Sequence, residues 1–152
     1  MRKSAGLLVY RKKAKAVEVF LVHPGGPFWK GKEAGAWSIP KGEFADGEDP
    51  LLTARREFRE ETGQAVDGAF LELKPVQQKG GKLVLAWAVE GNPDAENIVS
   101  NTFRQEYPYK SGKWITVPEV DKAAWFSLEV ARKKINAAQA ALLDDLLQKL
   151  ES

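Results

Sequence analysis

Residues 42–63, GEFADGEDPLLTARREFREETG, constrain this chain more than any other stretch. Asp49-Pro50 and Gly63 punctuate a helix over Pro50–Thr62. An aspartate suits the N-cap, and proline costs nothing at the first helical position, where the N–H has no partner. A glycine adopts the left-handed turn just past the end. At about 100° per residue, Leu51, Ala54, Phe58 and Thr62 fall on one face. Glu57, Glu60 and Glu61 share an arc of about 100° on its border. Like charges at Glu57 and Glu61 cost a bare helix ~0.2–0.5 kcal/mol, and a cation in the arc reverses that sign. Hard oxygen ligands of this kind favour Mg²⁺ or Mn²⁺. The bland alternative is a solvated acidic face, which any charge run permits.

The remainder of the chain is ordinary, which narrows the choice. The segment holds seven acids and three bases, a charge of −4, while the rest holds 20 bases and 14 acids, +6. The total of +2 is too mild to imply a nucleic-acid partner. At 152 residues and 43% hydrophobic, one domain over 1–152 is expected. The absence of cysteine excludes disulfides, thiol catalysis and Cys-based metal sites, and a single His23 excludes a poly-histidine site. No apolar run reaches the ~18–20 residues of a membrane span, and MRKSAGLLVYRKKAK lacks the apolar stretch of a signal peptide. A soluble cytoplasmic protein, monomer or homodimer, is expected.

Local patterns outline the fold. Ala5–Tyr10 and Val17–Val22 read as strands joined by a polar turn. His23–Ala36 is a glycine-rich loop, and Trp37–Ile39 a short strand ending at Pro40. Ala69–Lys79 and Lys82–Glu90 read as a hairpin about Gly80-Gly81. The second of these is apolar on both faces, as a central strand must be. Further short strands are expected at Thr102–Glu106 and Lys122–Phe126. From Leu128 onward the chain reads as helix, with Leu142, Leu143, Leu146, Leu147 and Leu150 as a 3,4-spaced core stripe or, second, a dimer interface. Strands and helices in this order give an α/β (α+β) domain with a mixed sheet.

The spacing G-x5-E-x7-R-E-F-R-E-E-T-G, set by Gly42, Glu48, Arg56, Glu57, Glu60, Glu61 and Gly63, resembles the Nudix box of the Nudix hydrolases. Chance would supply it on the order of 10⁻⁶ times in a chain of this composition. One position departs: the family prefers an aliphatic residue after the last glycine, and Gln64 stands there, with Ala65 and Val66 left to supply the packing. The runs SAGLLVYR, VHPGGPFW and AAWFSLEVA are similar to bacterial Nudix proteins predicted to be NTP pyrophosphohydrolases. The resemblance implies an α/β/α sandwich and a metal-dependent hydrolase. It would cleave a phosphoanhydride bond in a nucleoside diphosphate-X substrate, an NTP or a dinucleoside polyphosphate. It further implies Glu57, Glu60 and Glu61 as metal ligands, with the Gly42 carbonyl joining them. Glu60 or Glu61 is the alternative base for the attacking water, while Glu48 and Arg56 orient the site. The downstream positions that carry proline in members acting on ADP-ribose, and tyrosine in diadenosine polyphosphate hydrolases, hold Lys79 and Gly81 here.

Other residues are candidates of a second kind. Lys41 either neutralises a phosphate or is solvated. Family members often add a glutamate from outside the box; Glu106 is the first choice because it follows the Thr102 strand, and Glu119 and Glu90 compete. Trp29, beside Phe28 in the glycine loop, is placed to stack on a base, a contact worth ~1–3 kcal/mol. Tyr107, near Pro108 and Tyr109, is placed to line a pocket. Trp37 and Trp87 are read as core, and His23 as either a packing or a substrate residue. Two further readings stand beside the enzyme: a metal- and nucleotide-binding module without catalysis, and an RNA 5′-end processor, for which no RNA-binding motif appears.

Overall fold

A computed structural model describes residues 2–151. Its spine is β1 (Lys3–Lys13), buried from Ser4 to Tyr10. This strand has a neighbour along each edge. β6 (Leu83–Glu90) runs parallel to it over eight residue pairs from Lys3↔Leu83 to Tyr10↔Glu90. On the other edge β3 (Lys41–Phe44) pairs with its first half and β2 (Ala16–Pro24) with its second, both antiparallel. β9 (Val120–Ser127) extends the sheet beyond β2. Two short pieces, β4 (Leu71–Glu72) and β5 (Val76–Gln77), line the far side of β6. The result is the expected mixed sheet, with β1 and β6 as its parallel pair. β7 (Thr102–Glu106) and β8 (Trp114–Pro118) form a separate two-stranded ribbon.

Alternation along the central strands sends side chains to two cores. Leu7, Val9, Phe20, Val22 and Val89 meet Ala54 and Phe58 of α1 (Pro50–Thr62) on one face. Leu8, Tyr10, Val19 and Leu21 meet Ala131, Leu142, Leu143 and Leu146 on the other, from α2 (Leu128–Lys134) and α3 (Ala140–Glu151). Helix, sheet and helices make the α/β/α sandwich. The leucine stripe is core, with Leu142, Leu143 and Leu146 fully buried.

Several elements differ from the local reading, each for a physical reason. β1 and β2 continue past their apolar runs to Lys13 and Ala16, because Arg11 and Glu18 pair across the strands at 2.8 Å. The expected strand Ala69–Lys79 is reduced to two fragments, since Pro75 has no N–H to give the ladder. Gly80 and Gly81 turn as expected, both with positive φ. β8 was not foreseen, although WITV is rich in strand formers. The C-terminal helix is broken at Ile135–Asn136: Ile135 drops into the core, and the Asn136 amide donates to Trp37 O at 2.7 Å. A short 3₁₀ turn (Ala137–Gln139) then leads into α3. Trp37–Ile39 makes two isolated bridges, Ser38 with Val22 and Trp37 with Ile135, rather than a continuous strand.

Candidate functional site

The expected helix forms with the expected ends. Asp49 accepts from the Leu51 and Leu52 amides at 2.9 and 3.4 Å, and Gly63 takes φ 75 while its N–H donates to Arg59 O. Burying Ala54, Phe58 and Thr62 against the sheet rolls one edge of the acidic arc inward. Glu61 is therefore only 8% exposed, whereas the side chain of Glu60 is 42% exposed.

β3 carries Lys41 and Gly42 alongside this edge. The Glu57 carboxylate lies so close to the Gly42 Cα that a Cβ there would overlap it. A side chain at this position would push the Glu57 carboxylate aside. The Glu61 carboxylate accepts from the Lys41 main-chain amide. Burial, and then the neighbouring Glu57, hold the Glu61 carboxyl well above the usual carboxylate range. Burial also raises Glu57, with Glu60 adding to the effect. The Lys41 ammonium moves the other way: burial and the nearby Lys82 lower it, while Glu61, Glu43 and Glu57 offset part of the shift.

Arg56 stands at the centre of three carboxylates. It lies 3.8 Å from Glu48, 3.6 Å from Glu57 and 3.6 Å from Glu60, the last one turn along the helix. Glu48 also accepts from the Ala45 amide at 2.7 Å, which shapes the loop before the helix. The segment thus carries ion pairs that join its loop to its helix.

Glu106 is not brought to this cluster. Its carboxylate accepts from the Gly112 amide at 2.9 Å and closes the end of the β7–β8 ribbon. Glu119, the competing choice, lies in the cleft with Glu61 and Lys41. It is anchored through its main chain: its amide donates to Asn101 O and its carbonyl accepts from the Gly25 amide. Burial and then Glu60 raise its carboxyl, and Glu119 in turn raises Glu57 and Glu61. Four carboxylates from two distant parts of the chain therefore repel one another. As they stand, no three acidic side chains among the described residues close around one point.

The cleft above them has a volume of about 260 Å³. Trp29 lines one wall at 40% exposure, with the Lys32 ammonium 5.5 Å from its ring centre. Gln78, Asn136 and Gln139 line the same cleft. Tyr107 does not line the cleft; it packs edge-on against Phe28, ring centres 5.8 Å apart, on the outer side of the glycine loop. Trp37 and Trp87 are buried as read. His23 is buried too, its ring bridging Asp121 at 2.9 Å and the Lys32 carbonyl at 2.6 Å, which ties the glycine loop to β9. A larger cavity, about 520 Å³, lies between the 92–96 loop and Trp125 but contains no member of the acidic segment. Volume alone does not locate the chemistry.

Gln64 resolves the one departure from the motif. Its side chain exchanges two 2.8 Å hydrogen bonds with the Asp94 backbone, while Val66 packs on the α1 core in its stead. The Val99 and Asn101 amides donate to Thr62 O and Glu60 O, so the loop ahead of β7 is tied to the end of α1.

Known proteins are similar to this chain. Asymmetrical bis(5'-nucleosyl)-tetraphosphatase of Mus musculus is 32% identical over 96 residues, 59% of this chain and 62% of the relative. The chain thus spans 62% of the length of the curated relatives it matches. A C. elegans Ap4A hydrolase solved in a binary complex superposes with a TM-score of 0.70 at 26% identity, covering 99% of this chain and 98% of that one. The NUDIX domain of Shewanella oneidensis NrtR, cocrystallised with ADP ribose, shares the fold at a TM-score of 0.63 and 17% identity, over 97% and 87% of the two chains. A NUDIX domain model matches residues 1–146. With that match, a three-layer framework and an intact acidic segment, the chain belongs to the NUDIX domain family.

Proposed function

We propose that this protein hydrolyses a phosphoanhydride bond in a nucleoside diphosphate-X substrate, with a dinucleoside polyphosphate as the favoured class. The observation that carries this reading is the carboxylate group at the cleft: Glu57, Glu60 and Glu61 from α1 and Glu119 from before β9, each close enough to perturb others. The named relatives, tetraphosphatases and an Ap4A hydrolase, support the substrate class. The tyrosine that would have marked such hydrolases is absent at Gly81, so that marker and the overall likeness point different ways.

The donor set suits a divalent cation. Every candidate ligand is an oxygen, and the burial and mutual repulsion that raise the Glu57 and Glu61 carboxyls are what a hard dication relieves. Glu57, Glu60 and Glu61 would hold Mg²⁺ or Mn²⁺, with the Gly42 carbonyl alongside. Bound there, the ion neutralises diphosphate charge and lowers the pKa of water. The chain's own residues do the rest. Lys41 faces the diphosphate as a cation already short of solvent. Arg56 and Glu48 keep the helix carboxylates in place. Glu119, approaching from another element, accepts the proton of the attacking water; its raised carboxyl suits a base working near neutral pH. Trp29 offers its ring to a base at the open wall.

A phosphate- and pyrophosphate-release screen tests the reading. It should span NTPs, oxidised guanine nucleotides, dinucleoside polyphosphates, ADP-ribose and NADH. Turnover of at least one dinucleoside polyphosphate is expected. Silence across the panel, with Mg²⁺ shown to bind, would replace the hydrolase by a binding module.

A further inference from the structure

The amide side chains that line the cleft play no part in the chemistry above. Gln139 is fully buried, although glutamine is seldom interior. Its Oε1 accepts from the Ile39 backbone amide at 3.1 Å. A backbone N–H can only donate, so the orientation of the Gln139 amide follows from chemistry rather than from assignment. Its Nε2 therefore points outward, and donates to Gln78 Oε1 at 3.0 Å. That bond fixes Gln78 in turn: oxygen inward, NH₂ toward the cleft. Asn136 is fixed in the same way, because its Oδ1 accepts from the Ala138 amide at 3.0 Å.

Both cleft-facing amides thus have their oxygens engaged from within, and neither Gln78 Nε2 nor Asn136 Nδ2 has a hydrogen-bond partner among the described residues. These side chains offer N–H donors. A ligand group seated there must present acceptors, or the donors lose their water without replacement. Nucleobases differ in this respect. The N7 and O6 atoms of guanine are adjacent acceptors, whereas adenine sets the N6 amino donor beside N7. Adenine and uracil offer no edge with two adjacent acceptors; cytosine does, at N3 and O2, but has a single ring where guanine has two.

We propose that Gln78 and Asn136 read the base of the substrate, donating to N7 and O6 of a 6-oxopurine whose face lies on Trp29, so that guanine nucleotides are taken over adenine ones. This inference rests on the reading of the cleft as the nucleotide site. A cleft of about 260 Å³ suits one ring system, since sites for whole drug-sized ligands run ~300–1,000 Å³. The diphosphate then extends toward Lys41 and Glu61, which line the same cleft.

The test uses one dinucleoside tetraphosphate made with guanine, hypoxanthine, 7-deazaguanine or adenine. In the wild type, kcat/KM for the guanine and hypoxanthine forms should exceed that for adenine about tenfold or more, and 7-deazaguanine, lacking the N7 acceptor, should fall toward adenine. Gln78→Glu and Asn136→Asp keep the inward acceptors and delete the outward donors. Each should bring the guanine-to-adenine ratio toward one with an unchanged melting temperature. Their added charge repels phosphate equally for every base, so it cancels in the ratio. Equal rates for guanine and adenine in the wild type, or an unchanged ratio in both variants, overturns the inference. Should none of the four be hydrolysed, the hydrolase reading fails separately. The floor is then judged by calorimetric binding of GDP against ADP, where equal affinities overturn it and a tenfold GDP preference lost in Gln78→Glu supports it.

Discussion

Glu33 and Glu61 are the same side chain held in opposite states. Glu33, in the glycine loop, is matched by two cations, Lys134 at 2.9 Å and Lys122 at 3.2 Å, and by the Trp37 indole N–H at 3.1 Å. Led by the bond from Lys134, these hold its carboxyl down at about 2. Glu61, on α1, is buried among other acids and held well above the usual range. The contrast separates structure from chemistry. A carboxylate matched by cations ties the loop bearing Trp29 to α2 and β9, whereas one buried beside other acids carries repulsion that the proposed cation would relieve.

The largest expected effect comes from removing the cation. Turnover should vanish in EDTA and return with Mg²⁺ or Mn²⁺; full activity in EDTA would refute the metal model. Mg²⁺ should also raise the melting temperature of the wild type, as any ligand of the native state does. Glu61→Gln and Glu60→Gln should each lower turnover at least ~10²-fold with the fold retained. Glu61→Gln should in addition shrink the Mg²⁺-dependent stabilisation. Normal hydrolysis in both variants sinks the site assignment.

Glu119→Gln should cost on the order of tenfold to a hundredfold in kcat, while Glu106→Gln leaves kcat near wild type. Equal losses would mean that the ribbon end matters as much as the cleft wall. Glu33→Gln sharpens the comparison from the other side. It should raise KM several-fold with a small change in kcat, because it frees the loop rather than touching the carboxylates. Its pH signature has a definite sign. The folded carboxyl is depressed to about 2, so the ionised form stabilises the fold. That contribution is complete above the unfolded value, ~4.3, and is lost as pH falls toward 2. Glu61, with a raised carboxyl, has the reverse sign: in metal-free protein its penalty is eased as pH falls. Denaturant melts of Glu33→Gln and wild type should therefore differ at neutral pH and converge near pH 2. The smallest effect is expected for Gln64→Ala, which removes two hydrogen bonds from an exposed loop at ~0.5–1.5 kcal/mol each. Turnover should change little.

How much was legible beforehand depends on range along the chain. Helix Pro50–Thr62 was read to the residue, because Asp49, Pro50 and Gly63 act on their own neighbours. The acidic arc and the Arg56–Glu60 contact followed from one turn of helix. Glu106 and Glu119 both follow plausible strand signals, and only the tertiary structure shows that the Glu106 carboxylate accepts from the Gly112 amide while Glu119 lines the cleft. Glu33, Gln78, Asn136 and Gln139 gave no signal of their own: each is an isolated polar residue whose partners lie elsewhere, such as Gln139 and Ile39, one hundred positions apart. A buried glutamine cannot be told from a solvated one by its letter.

The amino-acid order by itself determined which carboxylates share a helix face, where that helix starts and stops, and that any metal must be held by oxygen. Those are properties of neighbours in sequence, set by capping, periodicity and composition. Only the tertiary structure decided that Glu61 is the buried member, that Glu119 joins it, and that two amides turn their donors into the cleft. Burial, charge repulsion and hydrogen-bond polarity act through space, and they exist only once β3, α1, the approach to β9 and the turn before α3 have closed around the same volume.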